Sequence, residues 1–223
     1  MWRIGFLLVL FSFCRSTLAA NGAPSLYLNE DKPQYFLDGQ DYFSYQTPIY
    51  ISNPNEPLLI QFFFDYDCRV CSSALDILEL YSQINFDKVK LIERPVATDK
   101  AQYSALVFYA LQEIKAEDLS ALLLFETAEK QRFSHLAHFD ELRSWLEKQG
   151  INKDDFTKAF YSAKVTHEVE LAEKRTEEYG VFTYPYVVID GRYVLTASTL
   201  YNDDYSLAVL DFLVNKLIKE KQK

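Results

Sequence analysis

Apolar residues occupy Leu58 to Phe64 with Gln61 as the one polar position. A run without alternation predicts a central strand buried on both faces. It stops at Asp65-Tyr66-Asp67. Beyond it, Leu75, Leu78, Tyr81 and Ser82 fall on one face of a helix, with Cys71 one turn before Leu75. The order is strand, short turn, helix. Lys88 to Ile92 alternates polar and apolar and reads as a second strand, ended by Pro95.

From Asp99 to about Tyr179 helical spacing replaces strand signals. The pattern predicts helices over Ala101–Ile114, Leu119–Gln131 and Asp140–Gln149, the last stopped by Gly150. Asn152 with Asp155 three residues on caps a helix through Phe160, and Lys164–Tyr179 ends at Gly180 in a C-cap position. Strand chemistry then returns. Tyr186–Ile189 and Arg192–Leu195 flank Asp190-Gly191, the signature of a two-residue hairpin. Tyr205–Leu217 closes the chain as an amphipathic helix with Leu207, Leu210, Val214 and Leu217 on one stripe. Ahead of the central strand the pattern is weak. Asn21 to about Leu37 reads as a mobile arm, Asp38-Gly39 as a turn, and Phe43, Tyr45, Ile49 and Ile51 as a strand-like alternation. No internal repeat at a fixed period is present.

The first twenty residues stand apart. Met1-Trp2-Arg3 is a basic start, Ile4 to Phe13 an apolar run, and Ser16 to Ala20 a small-residue exit. This is the pattern of a secretory signal peptide cleaved near Ala19 or Ala20. The run is short of the roughly 20 apolar residues that span a bilayer. Cys14 lies inside it and is lost with it, which leaves two cysteines, Cys68 and Cys71. The chain's net charge of −9 becomes −11 when the leader takes away Arg3 and Arg15 and no acid. Such a balance argues against nucleic acid as a partner.

An exported chain with just two cysteines, three apart at the start of a helix, points to reactive rather than scaffolding sulfur. The N-terminus of a helix carries roughly half a positive charge and stabilises a thiolate, the reactive form. Cys68 projects toward solvent and reads as the nucleophile. Cys71, inside the first turn, is the shielded partner that resolves a mixed disulfide. A structural bridge, half of a zinc site or idle thiols are the alternatives. A bridge closing so short a loop restrains little chain entropy. Zinc would need two further ligands, for which His135 and His138 are the candidates. Arg69 beside Cys68 lowers its pKa, whereas Asp65 and Asp67 oppose that shift.

Cys68-Arg69-Val70-Cys71 at a strand–helix junction, with Tyr184-Pro185 before a strand and an Asp190-Gly191 hairpin, resembles the thioredoxin fold. Pro185 follows Cys71 by 114 positions filled with helical pattern. That resembles the DsbA family of periplasmic thiol oxidases, in which an all-helical subdomain is inserted into an α/β thioredoxin frame. The resemblance implies five segments. Residues 1–20 are the signal peptide, 21–57 a lead-in to the first strand, and 58–98 the first thioredoxin-like part with the CxxC pair. Residues 99–179 are the helical insertion, and 180–223 carry the cis-proline strand, hairpin and last helix. It further implies that Cys68 and Cys71 are the catalytic pair, that Pro185 is cis and faces them, and that Tyr184 offers backbone hydrogen bonds to an extended substrate.

The activity implied is insertion of disulfides into reduced exported proteins in the periplasm. No cofactor beyond the Cys68–Cys71 disulfide and no metal is expected. A membrane quinone-linked partner resembling DsbB would reoxidise the pair, and the extra segment Asn21–Leu37 is an arm for a partner or a homodimer. A disulfide reductase or isomerase of the same fold is the alternative. The chain departs from the family where redox poise is set. Arg69-Val70 replaces the family's Pro-His, so Arg69, Val70 and Asp67 are the candidate tuning residues. Gln61 or Phe62 occupies the region where the family often buries an acid, and Tyr184 is bulkier than the usual residue before the proline.

Overall fold

The computed structural model describes residues 35–129 and 138–222 of the chain. A five-stranded mixed sheet organises them, in the order β1-β5-β4-β2-β3. The strands are β1 (Phe43–Ser44), β2 (Leu58–Phe64), β3 (Val89–Pro95), β4 (Tyr186–Ile189) and β5 (Tyr193–Thr196). β2 and β3 run parallel, joined through helix α1 (Cys71–Ile84). β4 is antiparallel to β2, pairing Phe63 with Tyr186 and Ile60 with Ile189. The long apolar run therefore becomes an inner strand with a neighbour on each edge.

Alternate residues of β2 serve different cores. Ile60, Phe62 and Phe64 face α1 and the last helix, here named α7 (Asp203–Lys221), in the larger cluster of buried side chains. Phe63 faces the other way, onto Tyr179, Tyr186 and Val188. Burying one such phenylalanine contributes roughly 1.5–3 kcal/mol, so neither face tolerates a polar replacement. Gln61 is the exception. It is buried, and its Oε1 accepts a hydrogen bond from Arg94 Nε at 3.3 Å.

Between β3 and β4 lie helices α2 (Tyr103–Glu113), α3 (Asp118–Glu129), α4 (Phe139–Lys148), α5 (Lys153–Phe160) and α6 (Ala163–Glu178). α2 packs on α5 and α6, and α3 packs on α1. The expected cap at Asn152 is present, its side chain accepting from the N–H groups of Asp154 and Asp155. Gly180 takes the left-handed φ of +59° that ends α6. The described fold is thus α/β with helices inserted between the strands.

Three expectations need correction. Phe36 is docked, not mobile: its ring packs edge-on against Tyr205 and Phe212, and the Leu37 N–H donates to Asp41 Oδ2 at 2.7 Å. The alternation from Phe43 to Ile51 forms a strand only at Phe43–Ser44. The Tyr45 hydroxyl instead donates to the carbonyl of Tyr179 at 2.6 Å, drawing that residue onto the opposite face. The hairpin has three residues between paired positions rather than two, since Ile189 pairs with Tyr193. Asp190 and Gly191 still make the tight turn, both with positive φ, closed by the Arg192 N–H on Ile189 O at 3.0 Å. Arg192 is left outside the β4–β5 pairing, and its carbonyl accepts from the Tyr45 N–H at 2.9 Å. The expected leader at residues 1–20, and residues 21–34 of the proposed arm, lie outside the described residues.

A Cβ at Gly191 would sit inside van der Waals contact with the backbone of Tyr50. Substitution G191A should therefore destabilise the protein by about 2–4 kcal/mol. Urea unfolding of the two forms measures it, and an unchanged midpoint would contradict this account of the turn.

Candidate active site

The turn after β2 is built on Asp65. Its Oδ1 accepts from the Asp67 N–H at 2.8 Å and from the Ser104 hydroxyl at 3.0 Å, and its carbonyl accepts from the Cys68 N–H at 3.0 Å. An Asp bonding its own backbone two residues on is a standard way to turn a chain. It directs Cys68 toward the start of α1, whose first residue is Cys71. The Cys71 N–H bonds back to the carbonyl of Cys68 at 3.2 Å. Val70 at the N-cap position offers the helix no side-chain acceptor. No side chain therefore competes for the N–H groups after Cys71 in the first turn of α1, which suits that helix end to stabilise a thiolate.

Cys68 and Cys71 are joined as a disulfide. Cys68 keeps 5% of its surface and Cys71 none. The expected asymmetry is present, but Cys68 is recessed rather than projecting, so a reacting thiol must come to it. Arg69 and Val70 between them are exposed. Asp67 is also exposed, and its carboxyl is raised, first by partial desolvation and then by Asp65, with Arg69 opposing.

Tyr184 and Pro185 arrive from far along the chain, and the peptide bond between them is cis. Burial raises the Tyr184 hydroxyl pKa, and the charges of Asp65 and Asp67 add to it. Because Phe63 pairs with Tyr186, the loop before β4 and the turn after β2 lie at the same end of the sheet, with Tyr184 exposed there. The sequence-predicted residues Cys68, Cys71, Asp67 and Tyr184 are gathered at one end of the sheet, with Arg69 and Val70 on the rim. Of the histidines named as zinc candidates, His135 lies outside the described residues. His138 sits at the N-terminus of α4 without a side-chain cap bond. Both cysteine sulfurs are bonded to each other, and no group of three or more His, Cys, Asp or Glu is placed for a metal among the described residues.

Three further features escaped the sequence reading. Tyr66 is fully buried. Its hydroxyl bonds to Ser120 Oγ at 2.8 Å, and its carbonyl accepts from Thr127 Oγ1 at 3.0 Å. Both partners are on α3, so the cysteine turn is fastened to the inserted helices. Tyr45 and Tyr186 both bond to the Tyr179 carbonyl, at 2.6 and 3.3 Å, which anchors the start of the Tyr184 loop. Lone aromatic residues carry no sequence mark that separates a bolt from core.

The third is Glu93 on β3, in register with Phe62 and so on the face toward α1. Burial pushes its carboxyl up to about 7, with Glu79 of α1 adding to the shift, and its Oε2 has no hydrogen-bond partner. The signal was available: Val89, Leu91 and Glu93 share one face of an alternating strand, and the third is an acid. A half-buried acid, with its Oε2 shut off from solvent, thus lies one strand over from the position at which the resemblance looked for it.

The thioredoxin family model matches residues 44–205. An uncharacterized protein of Haemophilus influenzae is 57% identical over 190 residues, covering 85% of this chain and 81% of its own. The thiol:disulfide interchange protein DsbA of Burkholderia cepacia is 26% identical over 208 residues, covering 92% of this chain and 97% of its own. Among solved structures, Pseudomonas aeruginosa DsbA is similar at a TM-score of 0.71 with 21% identity, covering 84% of this chain and 97% of its own. The oxidoreductase NmDsbA1 of Neisseria meningitidis gives 0.68 with 20% identity, covering 84% and 96%.

Glu93 makes a pH prediction. Its folded pKa is above the unfolded value, so between about pH 4.5 and 7 the folded state holds a proton that the unfolded chain releases. Stability from this group therefore falls as pH rises through that window. Substitution E93Q should stabilise the protein above pH 7 by on the order of 2 kcal/mol and change little near pH 4. Urea unfolding at pH 4.5 and pH 8 checks this, and an equal effect at both would refute it.

Proposed function

We infer that this chain, which belongs to the thioredoxin family and is DsbA-like within it, uses the Cys68–Cys71 disulfide to oxidise pairs of thiols in exported proteins. Thiol–disulfide oxidoreduction is the activity of its named relatives. The observation that carries the reading is the disulfide itself, at the start of α1 with Tyr184 of the cis-proline loop beside its turn. The direction, the periplasmic setting and the substrates are part of this proposal.

The exchange balances as follows. A substrate thiolate attacks Sγ of Cys68, the Cys68–Cys71 bond breaks, and Cys71 leaves as a thiolate. The substrate's second thiolate then attacks its own sulfur in the mixed disulfide and releases Cys68 as a thiolate. The substrate has lost two electrons and two protons; the enzyme takes both electrons and one proton, at Cys71, and the other proton goes to solvent. The positive end of α1 stabilises the Cys68 thiolate that is left, which favours the reduced enzyme and makes the disulfide the stronger oxidant. Arg69 acts in the same sense and Asp67 against it. An extended substrate would lie along the exposed Tyr184, where backbone groups before a strand can pair with it. Regeneration needs an electron acceptor, and a membrane quinone-linked protein resembling DsbB fits that role. The leader at residues 1–20 supports export, with cleavage near Ala19 or Ala20. The same proposal takes residues 21–57 as the lead-in to the first strand and 99–179 as the helical insertion, with an arm-mediated homodimer.

Substitution C71A should accumulate mixed disulfides between Cys68 and exported proteins, and C68A should yield none. Mass spectrometry of non-reduced complexes identifies the captured chains. Equilibration of the wild-type pair with glutathione settles direction. A potential nearer the roughly −120 mV of a strong oxidant supports oxidation, and one near roughly −270 mV sinks it in favour of a reductase.

A further inference from the structure

We propose that the site prefers reduced polypeptides with a lysine or arginine next to the cysteine being oxidised, on apolar or aromatic flanks. This rests on the oxidoreductase reading above and names the substrate class for that site.

Apolar contact area comes from Val70, between the two cysteines, and from Tyr184 before the cis proline, both left exposed, with Phe182 exposed two residues earlier on the same loop. Exposed aromatic surface at a reactive site is a contact surface for a chain, since an isolated small thiol has nothing to cover it with. The charge preference comes from Asp65 and Asp67. Asp65 is not free to swing away, because its Oδ1 is held by the Asp67 N–H and the Ser104 hydroxyl. Asp67 is exposed beside it. The field of both carboxylates reaches the Tyr184 hydroxyl. A strand laid along Tyr184 toward Cys68 therefore passes two negative charges within its first residues.

A second feature at the same end of the sheet agrees in sign. Val96 N–H bonds to the Phe64 carbonyl, so the exits of β3 and β2 are adjacent. Just beyond lies an open cleft of about 410 Å³ that includes Asp99, Glu173 and Glu177 and reaches Val181, three residues before Tyr184. No cation lines it. Arg69 on the cysteine turn, Lys100 next to Asp99 and Lys174 next to Glu173 are the opposing charges, all exposed. Five carboxylates against three cations leave the approach negative. The net charge of −9 over the whole chain steers basic chains the same way at long range. Exposed pairs are individually weak, so the selectivity expected is a modest factor that salt removes.

The test uses the full oxidised protein and three synthetic dithiol peptides, identical except for Lys, Gln or Glu flanking the first cysteine. Rates of disulfide transfer are divided by those of the same peptides with hydroxyethyl disulfide, a neutral oxidant. That division removes the effect of each flank on the peptide's own thiol. The normalised Lys rate should exceed the Glu rate by about fivefold at low ionic strength. It should fall toward parity in about 0.5 M salt, where screening is short-ranged. D67N should reduce the Lys-to-Glu ratio, and E173Q with E177Q should reduce it further. Any general change in the reactivity of Cys68 cancels in that ratio. Equal normalised rates for all three peptides, from an enzyme that oxidises them all, would overturn the preference and leave the oxidoreductase reading standing. Failure to oxidise any of them would remove both.

Discussion

The pairing of β2 with β4 is the constraint that brings the chemistry together. β2 delivers the cysteines at its C-terminal end, and β4 begins one residue after the cis proline. Because the two strands are antiparallel, with Phe63 opposite Tyr186, the end of one meets the beginning of the other. Residues more than a hundred positions apart in sequence thus become neighbours through backbone hydrogen bonds, whatever the intervening helices do. The same pairing explains why β2 is apolar on both faces. An inner strand with a helix layer on one side and an aromatic cluster on the other has no surface for polar side chains.

That constraint also decides what was legible in the chain. An inner strand announces itself by a lack of alternation, and the helices by spacing on one face, so the elements from Leu58 to Leu217 were readable to within a few residues. Cys68 and Cys71 were readable because their spacing has few other uses. The docking of Phe36 was not, because a single aromatic residue in a proline-rich stretch looks the same whether or not α7 offers it Tyr205 and Phe212. The bulge at Arg192 was hidden too. Asp190-Gly191 specifies the turn, but the carbonyl of the extra residue finds its partner in the Tyr45 N–H, nearly 150 residues earlier.

Glu93 is a different kind of omission. Its position in the strand alternation pointed inward, yet an acid in that place is read by habit as the solvated face. Burial without a full set of hydrogen bonds makes such a group costly when charged. Its carboxyl accordingly titrates near neutrality, and it does so close to Glu79 on the helix that begins with Cys71. The redox helix and this proton-binding group share one core, with Phe62 lying between strand and helix as its neighbour in register.

The fastening of Tyr66 has a mechanical meaning. One side of the cysteine turn is fastened to α3 by the Tyr66 hydroxyl on Ser120, and the Tyr66 carbonyl shares the Thr127 hydroxyl with the carbonyls of Leu123 and Leu124. The other side is tied through Asp65 to Ser104 on α2. Two separate helices of the insertion thus grip a turn of four residues, from Asp65 to Cys68. The insertion is a chassis for the reactive sulfur as much as a wall beside it. Anything that leaned on those helices, such as a bound chain or an engineered crosslink, would be felt as a change in where Cys68 points.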